Sequence, residues 1–204
     1  MTKPRIFLIR HGETDWNLAG RLQGGHDIPL NDLGREQAAG AARVIGQLSL
    51  DRPSCYVASP LSRAAQTMAI LRAGLGLPPD EFRRDDRLKE LSFGRWEGST
   101  WLDLRRRDPI AVAARDADPW HFVPPGGESY AALTQRAQAA IAEITEDAVI
   151  VTHGGVIRAL LHALTGMPVE TAADLPVRQG AVYAVGDGTF NVTVPDGYRR
   201  RVKG

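Results

Sequence analysis

A single cysteine, Cys55, stands in 204 residues, so no disulfide can form within the chain and oxidative stapling is excluded. It sits in the apolar stretch Cys55-Tyr56-Val57-Ala58, where a small buried residue is expected, and this usage fits a reducing cytoplasm. Neither sign of charge dominates: 25 Lys and Arg against 24 Asp and Glu leave a formal net charge of +1. No global field therefore draws the protein to nucleic acid or to an anionic membrane, and any recognition of anions must be local. Only the four apolar residues Ile6 to Ile9 separate the opening Met1-Thr2-Lys3-Pro4-Arg5 from Arg10, too few for a signal-peptide core or a membrane span. His11, His26, His121, His153 and His162 lack the paired spacing of a zinc helix, and there is no aspartate-rich magnesium box. A glycine-rich loop running into lysine and a hydroxyl residue is also missing, which argues against nucleotide chemistry of the P-loop type. No metal and no cofactor is expected.

What is present is an alternation of strands and helices. With 43% hydrophobic and 24% charged residues, the chain is long enough for one well-buried core and short for two, so a single domain over residues 1–204 is expected. Strand patterns fall at Arg5 to Ile9, Ser54 to Ala58 and Ala148 to Thr152, with a short extended piece near Phe82. Asn31 is a helix cap, and Leu33, Ala38, Ala41, Val44, Ile45 and Leu48 give the helix from Asp32 to about Leu48 one apolar side. Ser59-Pro60 breaks the second strand before a helix over Leu61 to Leu71. Ser129 caps a helix to about Ile144, and Val156 to Leu164 is helical with Gly166 as its stop. Ala181 to Val185 and Thr189 to Val194 flank Gly186-Asp187-Gly188 as a closing hairpin. This alternation predicts an α/β fold, a three-layer α/β/α sandwich around a mostly parallel central sheet.

Two of the strands end alike. Ile6-Phe7-Leu8-Ile9 runs into Arg10-His11-Gly12-Glu13-Thr14, and Ala148-Val149-Ile150-Val151-Thr152 runs into His153-Gly154-Gly155. Each hands an imidazole to a glycine turn at the carboxyl edge of the sheet, where open α/β sheets bind ligands. Residues 91–128 break the pattern. Three of the four tryptophans, Trp96, Trp101 and Trp120, fall there with Phe93 and Phe122, among prolines and charges that form no simple amphipathic element. The segment reads as a satellite cluster and, since specificity tends to sit on loops carried by a rigid sheet, as a lid over the pocket.

Arg10-His11-Gly12-Glu13-Thr14, Trp16-Asn17, Arg21-Leu22-Gln23-Gly24, Ser59 to Thr67, Leu88 to Leu91, Gly94 to Gly98, Gly126 to Ser129 and Thr152 to Gly155 follow one another in an order that resembles the histidine phosphatases, also called the phosphoglycerate mutase-like superfamily. The resemblance runs from Arg5 to about Gly166 and implies a pocket for a phosphoryl group. The residue types fit that chemistry. Arg10 and Arg63 present planar forks of donors to phosphate oxygens, and the helix near Leu61 adds its amino-terminal amides. His11 is the nucleophile, provided neighbouring arginines and burial keep it unprotonated. His153 stands as a donor to the transferring group, in the family in cationic form. The resemblance makes Glu90 the general acid; an ion pair with Arg87 or Arg95 is the plainer alternative. Thr14, Asn17, Gln23, Gly24 and Glu128 align with substrate-contacting positions, Gly154 joins them as a binding residue, and Glu13 reads as structural support. Arg105-Arg106-Arg107 could meet a carboxylate or second phosphate, while Arg199-Arg200-Arg201 reads as a disordered end.

The acceptor of the phosphoryl group separates the branches. The chain is short beside the usual mutases, has Gly155-Val156 where mutases carry Asn-Ser, and shares Gly126-Gly127-Glu128-Ser129 with the broad-specificity and α-ribazole phosphatases. These features point to a metal-independent phosphatase of small-molecule phosphomonoesters working through phosphohistidine. A cofactor-dependent phosphoglycerate mutase and a non-catalytic phosphate-binding module are the alternatives. The expected partner is a small phosphorylated substrate, with no nucleic acid and no membrane. A homodimer is a family expectation.

Overall fold

The computed structural model describes residues 4–48 and 53–195, so Arg199-Arg200-Arg201 lies outside the described residues. Strands β1 (Ile6–Arg10), β2 (Cys55–Ala58), β3 (Arg83–Arg84), β4 (Ala148–Thr152), β5 (Val182–Gly186) and β6 (Thr189–Thr193) form one sheet in the order β3-β2-β4-β1-β5-β6. The first four of that order run parallel; β5 is antiparallel to both of its neighbours. Between β5 and β6, Asp187 and Gly188 both take positive φ, 49° and 74°, the backbone a two-residue hairpin turn requires.

Helices are α1 (Asp15–Leu18), α2 (Asp32–Leu48), α3 (Ser62–Gly74), α4 (Trp101–Arg107), α5 (Pro109–Ala117), α6 (Tyr130–Ile141), α7 (Gly154–Thr165) and α8 (Val169–Asp174). The two faces of β1 show why the sheet is covered on both sides. Ile6 and Leu8 pack with Leu133, Ala137, Ile157 and Leu160 of α6 and α7, whereas Phe7 and Ile9 pack with Ala41, Ile45, Ala64 and Met68 of α2 and α3. Side chains alternate across a strand, so the unbroken apolar run Ile6 to Ile9 needs a helical layer on each face.

Local signals set the ends. Asn31 Oδ1 accepts from the Gly34 amide at 2.9 Å to open α2, Ser59-Pro60 precedes α3, Ser129 Oγ accepts from Ala132 at the start of α6, and Gly166 closes α7 at φ 72°. Cys55 differs from expectation: as the first residue of β2 it is only partly buried.

The excursion at 91–128 holds two helices that the sequence pattern does not show. Their buried residues, Leu104 of α4 and Val112 of α5, join Trp96 in a satellite core against Leu22, Phe93, Trp101 and Phe122. Trp96 stacks on Phe122 with ring centroids 5.3 Å apart.

Candidate active site

Parallel pairing of β1 with β4 sets Arg10 beside Thr152, so His11 and His153 emerge next to each other at the carboxyl edge. The glycine after His11 is a steric necessity, because a Cβ on Gly12 would lie 2.1 Å from the Gly34 carbonyl oxygen. Nδ1 of His11 is 2.7 Å from the Gly12 carbonyl oxygen. A carbonyl only accepts, so Nδ1 carries the hydrogen and Nε2 keeps its lone pair. Burial first, then the guanidinium groups of Arg63 and Arg10, hold this imidazole well below 6.5 and therefore neutral at physiological pH.

Arg63, the second residue of α3, is fully buried. Its Nη1 donates to the His26 carbonyl at 2.6 Å and its Nη2 to the Gly24 carbonyl at 2.9 Å. Burial pulls its pKa down to about 10, which leaves it a cation at neutral pH. Arg10 reaches the Val177 carbonyl through Nη1 at 2.7 Å and lines the same cavity. His153 is fully buried with Nε2 2.7 Å from the Ser59 hydroxyl. Burial and then Arg63 push its pKa well down, so the protein's own surroundings favour neutral imidazole over the cation implied by resemblance.

Glu90 follows a 3-10 turn, Asp86–Leu88. Both carboxylate oxygens accept from the Gly155 amide, at 3.1 and 3.3 Å, and Oε1 also accepts from Leu91. The ion pair with Arg87 does not form, because that guanidinium is engaged by Asp85 and Glu143 at 2.7 Å.

A cavity of about 250 Å³ opens among these groups. It is lined by Arg10, His11, Arg63, Glu90 and Gly154, and by Asn17, Gln23, Gly24 and Glu128. Thr14 and His153 stand behind this lining. The Thr14 hydroxyl caps α1 by accepting from the Asn17 amide at 3.1 Å, while Asn17 Oδ1 accepts from Thr14, which turns the amide's acceptor inward and leaves Nδ2 as its donor. Glu13 Oε1 accepts from Asn31, a structural contact. Both oxygens of Glu128 are taken by Arg136, at 2.7 and 2.8 Å.

Glu97 joins the excursion to the loop of Gly24 to His26. Its Oε1 accepts from the amides of Gly25 and Phe93, and its Oε2 lies 3.4 Å from His26 Nε2. Gly24 sits beside it at φ 49°.

Of the remaining lining residues, Arg115 and Arg158 belong to no motif read from the sequence, whereas Arg21 lies in a motif of the resemblance and the aromatics of 91–128 are those expected over the pocket. Arg21, Arg115 and Arg158 add positive charge, and Trp101, Phe93 and Phe122 add an aromatic wall. Arg105, Arg106 and Arg107, the basic run in the sequence, face solvent instead; Arg115 of α5, with its guanidinium 4.9 Å over the Trp101 ring, holds the inward place. Arg158 had a legible signal, lying four residues after Gly154 on one face of α7. Among the described residues, no group of three or more His, Cys, Asp or Glu side chains is arranged to hold a metal ion. No helix there is long and apolar enough to cross a membrane.

The family model described as histidine phosphatase superfamily (branch 1) matches residues 6–190. A glucosyl-3-phosphoglycerate phosphatase of Mycolicibacterium vanbaalenii is 37% identical over 179 residues, 81% of this chain and 76% of the relative. A metal-independent phosphoserine phosphatase of Arabidopsis thaliana is 36% identical over 166 residues, 78% of this chain and 68% of the relative. The crystal structure of the α-ribazole phosphatase from Shigella flexneri superposes with a TM-score of 0.78 at 30% identity, covering 98% of this chain and all of the other.

Proposed function

The chain belongs to the histidine phosphatase superfamily, and from that premise we propose that it is a phosphoric monoester hydrolase that cleaves small-molecule substrates through phosphohistidine on His11, without a metal ion. The observation that carries the reading is the state of His11: its Nδ1 hydrogen is fixed on the Gly12 carbonyl, so a neutral Nε2 lone pair is left in a cavity that Arg10 and Arg63 also line.

Arg10, Arg63 and the amide of Gly154 bind the phosphoryl oxygens and stabilise the charge that builds on them. Nε2 of His11 attacks phosphorus as the ester P–O bond breaks, and Glu90 gives its proton to the departing alkoxide. The Glu90 carboxylate then takes a proton from water, whose oxygen attacks phosphorus as the P–N bond breaks. Inorganic phosphate leaves, and His11 and protonated Glu90 are restored. The charged and aromatic remainder of the lining supports a leaving group with negative charge on an apolar body. A single cysteine fits a cytoplasmic setting for this chemistry.

Incubation with p-nitrophenyl phosphate in excess chelator tests the proposal. Steady phosphate release is expected, with an acid-labile, alkali-stable phosphoenzyme trapped on quenching and lost in His11→Ala. Strict dependence on added magnesium, or a phosphoenzyme that survives His11→Ala, overturns it. Conversion of 3-phosphoglycerate to 2-phosphoglycerate with little phosphate release would mark a mutase.

A further inference from the structure

Helix α6 turns one guanidinium toward the loop that carries Glu90. Nη1 of Arg136 donates to the carbonyls of Arg87 and Lys89 at 2.7 and 2.8 Å, and Nη2 reaches the Glu90 carbonyl at 3.2 Å. The opposite edge of the same fork grips Glu128 through Nε and Nη2. The backbone bonds of this stretch, Leu88 to Asp85 and Lys89 to Asp86, stop at Lys89. Glu90 therefore lies where the turn's own hydrogen bonding has ended, and its peptide is held from outside.

A planar guanidinium bonded on both edges has little orientational freedom. Its bonds to this loop all end on carbonyl oxygens, so its grip on Glu90 is exerted through the backbone. The carboxylate end is fixed separately, on the Gly155 amide at the start of α7. Two anchors on different helices thus define where the proton donor stands. Catalytic groups lose much of their effect when displaced by about 1 Å.

We infer that Arg136 is a positioning residue: it holds the Glu90 backbone so that the carboxyl meets the leaving oxygen, and it governs proton delivery while leaving attack by His11 intact. The inference rests on Glu90 as the general acid. Leaving-group dependence separates the two claims, because p-nitrophenolate departs readily without a proton and an alkoxide does not.

The experiment compares kcat/KM, which reports the steps through loss of the leaving group, for p-nitrophenyl phosphate and an alkyl phosphate such as glycerol phosphate. Glu90→Gln is expected to lose far more on the alkyl ester, within the roughly 10²–10⁴-fold contribution of a general acid. Arg136→Met should stay within about threefold of wild type on the aryl ester and lose about tenfold or more on the alkyl ester, a fraction of that general-acid contribution. Arg136→Lys, which keeps the cation and loses the fork, should show a smaller bias in the same direction. If Arg136→Met melts below the assay temperature, Arg136→Lys carries the test alone. Equal losses on both esters for the Arg136 variants, beside a biased Glu90→Gln, overturn the positioning role. An unbiased Glu90→Gln instead overturns the assignment of Glu90 and leaves Arg136 with no catalytic task.

Discussion

The rings of His11 and His153 meet edge to face, their centroids 5.1 Å apart and their planes inclined at 60°. They come from adjacent parallel strands in matching register, and burial first, then one shared arginine, Arg63, depresses the basicity of both. Protonating either ring places a third cation beside Arg10 and Arg63. Burial and the two guanidinium groups therefore hold the pair neutral.

This coupling predicts how stability follows pH. Both native pKa values lie below the ordinary 6.5, so as pH falls through that value the unfolded chain binds more protons than the native one. The contribution of these rings is fully present above 6.5 and is lost toward their native pKa values. Urea midpoints measured between about pH 7.5 and 5.5 should fall, and the double variant His11→Gln, His153→Gln should flatten that slope. An equal slope in both proteins would remove the rings from the acid response.

Gly24→Ala should weaken phosphate binding as well as stability. The residue sits at φ 49°, a Cβ would lie 1.9 Å from Glu97 Oε1, and its carbonyl is one of the two acceptors that aim Arg63. The left-handed backbone alone costs about 1–2 kcal/mol for a residue with a Cβ. A thermal melt and inhibition by inorganic phosphate would check both effects. An unchanged inhibition constant would separate Gly24 from the aim of Arg63.

Gly155→Ala attacks the proton donor from its other anchor. The new Cβ would stand 2.5 Å from Glu90 Oε1 and push the carboxylate off its amide. Activity on alkyl phosphates should fall by about tenfold relative to aryl phosphates, again a fraction of what a general acid supplies. A loss shared equally by both substrate types would contradict this.

Trp96→Ala should cost about 3–5 kcal/mol, as large-to-small changes at buried aromatics do. Trp96 is 2% exposed, is the largest side chain of the satellite core and also lines the cavity. KM should rise alongside the fall in melting temperature, since the wall is made of the same rings. Chemical denaturation and steady-state kinetics on one preparation check both.

The central strands β1, β2 and β4 were legible because each is an apolar run that ends in punctuation: Gly12 after His11, Ser59-Pro60 after Ala58, Gly154 after His153. Helix α2 announced itself through the Asn31 cap and its buried stripe. The helices of the excursion did not, because α4 and α5 span only 7 and 9 residues and each buries a single one. Their caps were present all the same, a Thr100 to Asp103 capping box and Asp108 before Pro109. Of the site, the groups at strand ends could be read from residue type and place. Glu90 rested on resemblance, since a loop carboxylate has no period. Arg136 was invisible, because only the packing of α6 against the turn at Asp86 to Leu88 decides that this guanidinium meets backbone carbonyls instead of water.

Glu97 links the 91–128 excursion to the loop of Gly24 to His26. Its carboxylate fastens the loop whose carbonyls orient Arg63, yet it belongs to the segment whose tryptophans shape the far wall. Any attempt to retarget the enzyme by grafting a foreign 91–128 segment would thus also replace the clasp on its anion grip. Such chimeras should keep Glu97 as a fixed graft point, with new selectivity sought from α4 onward.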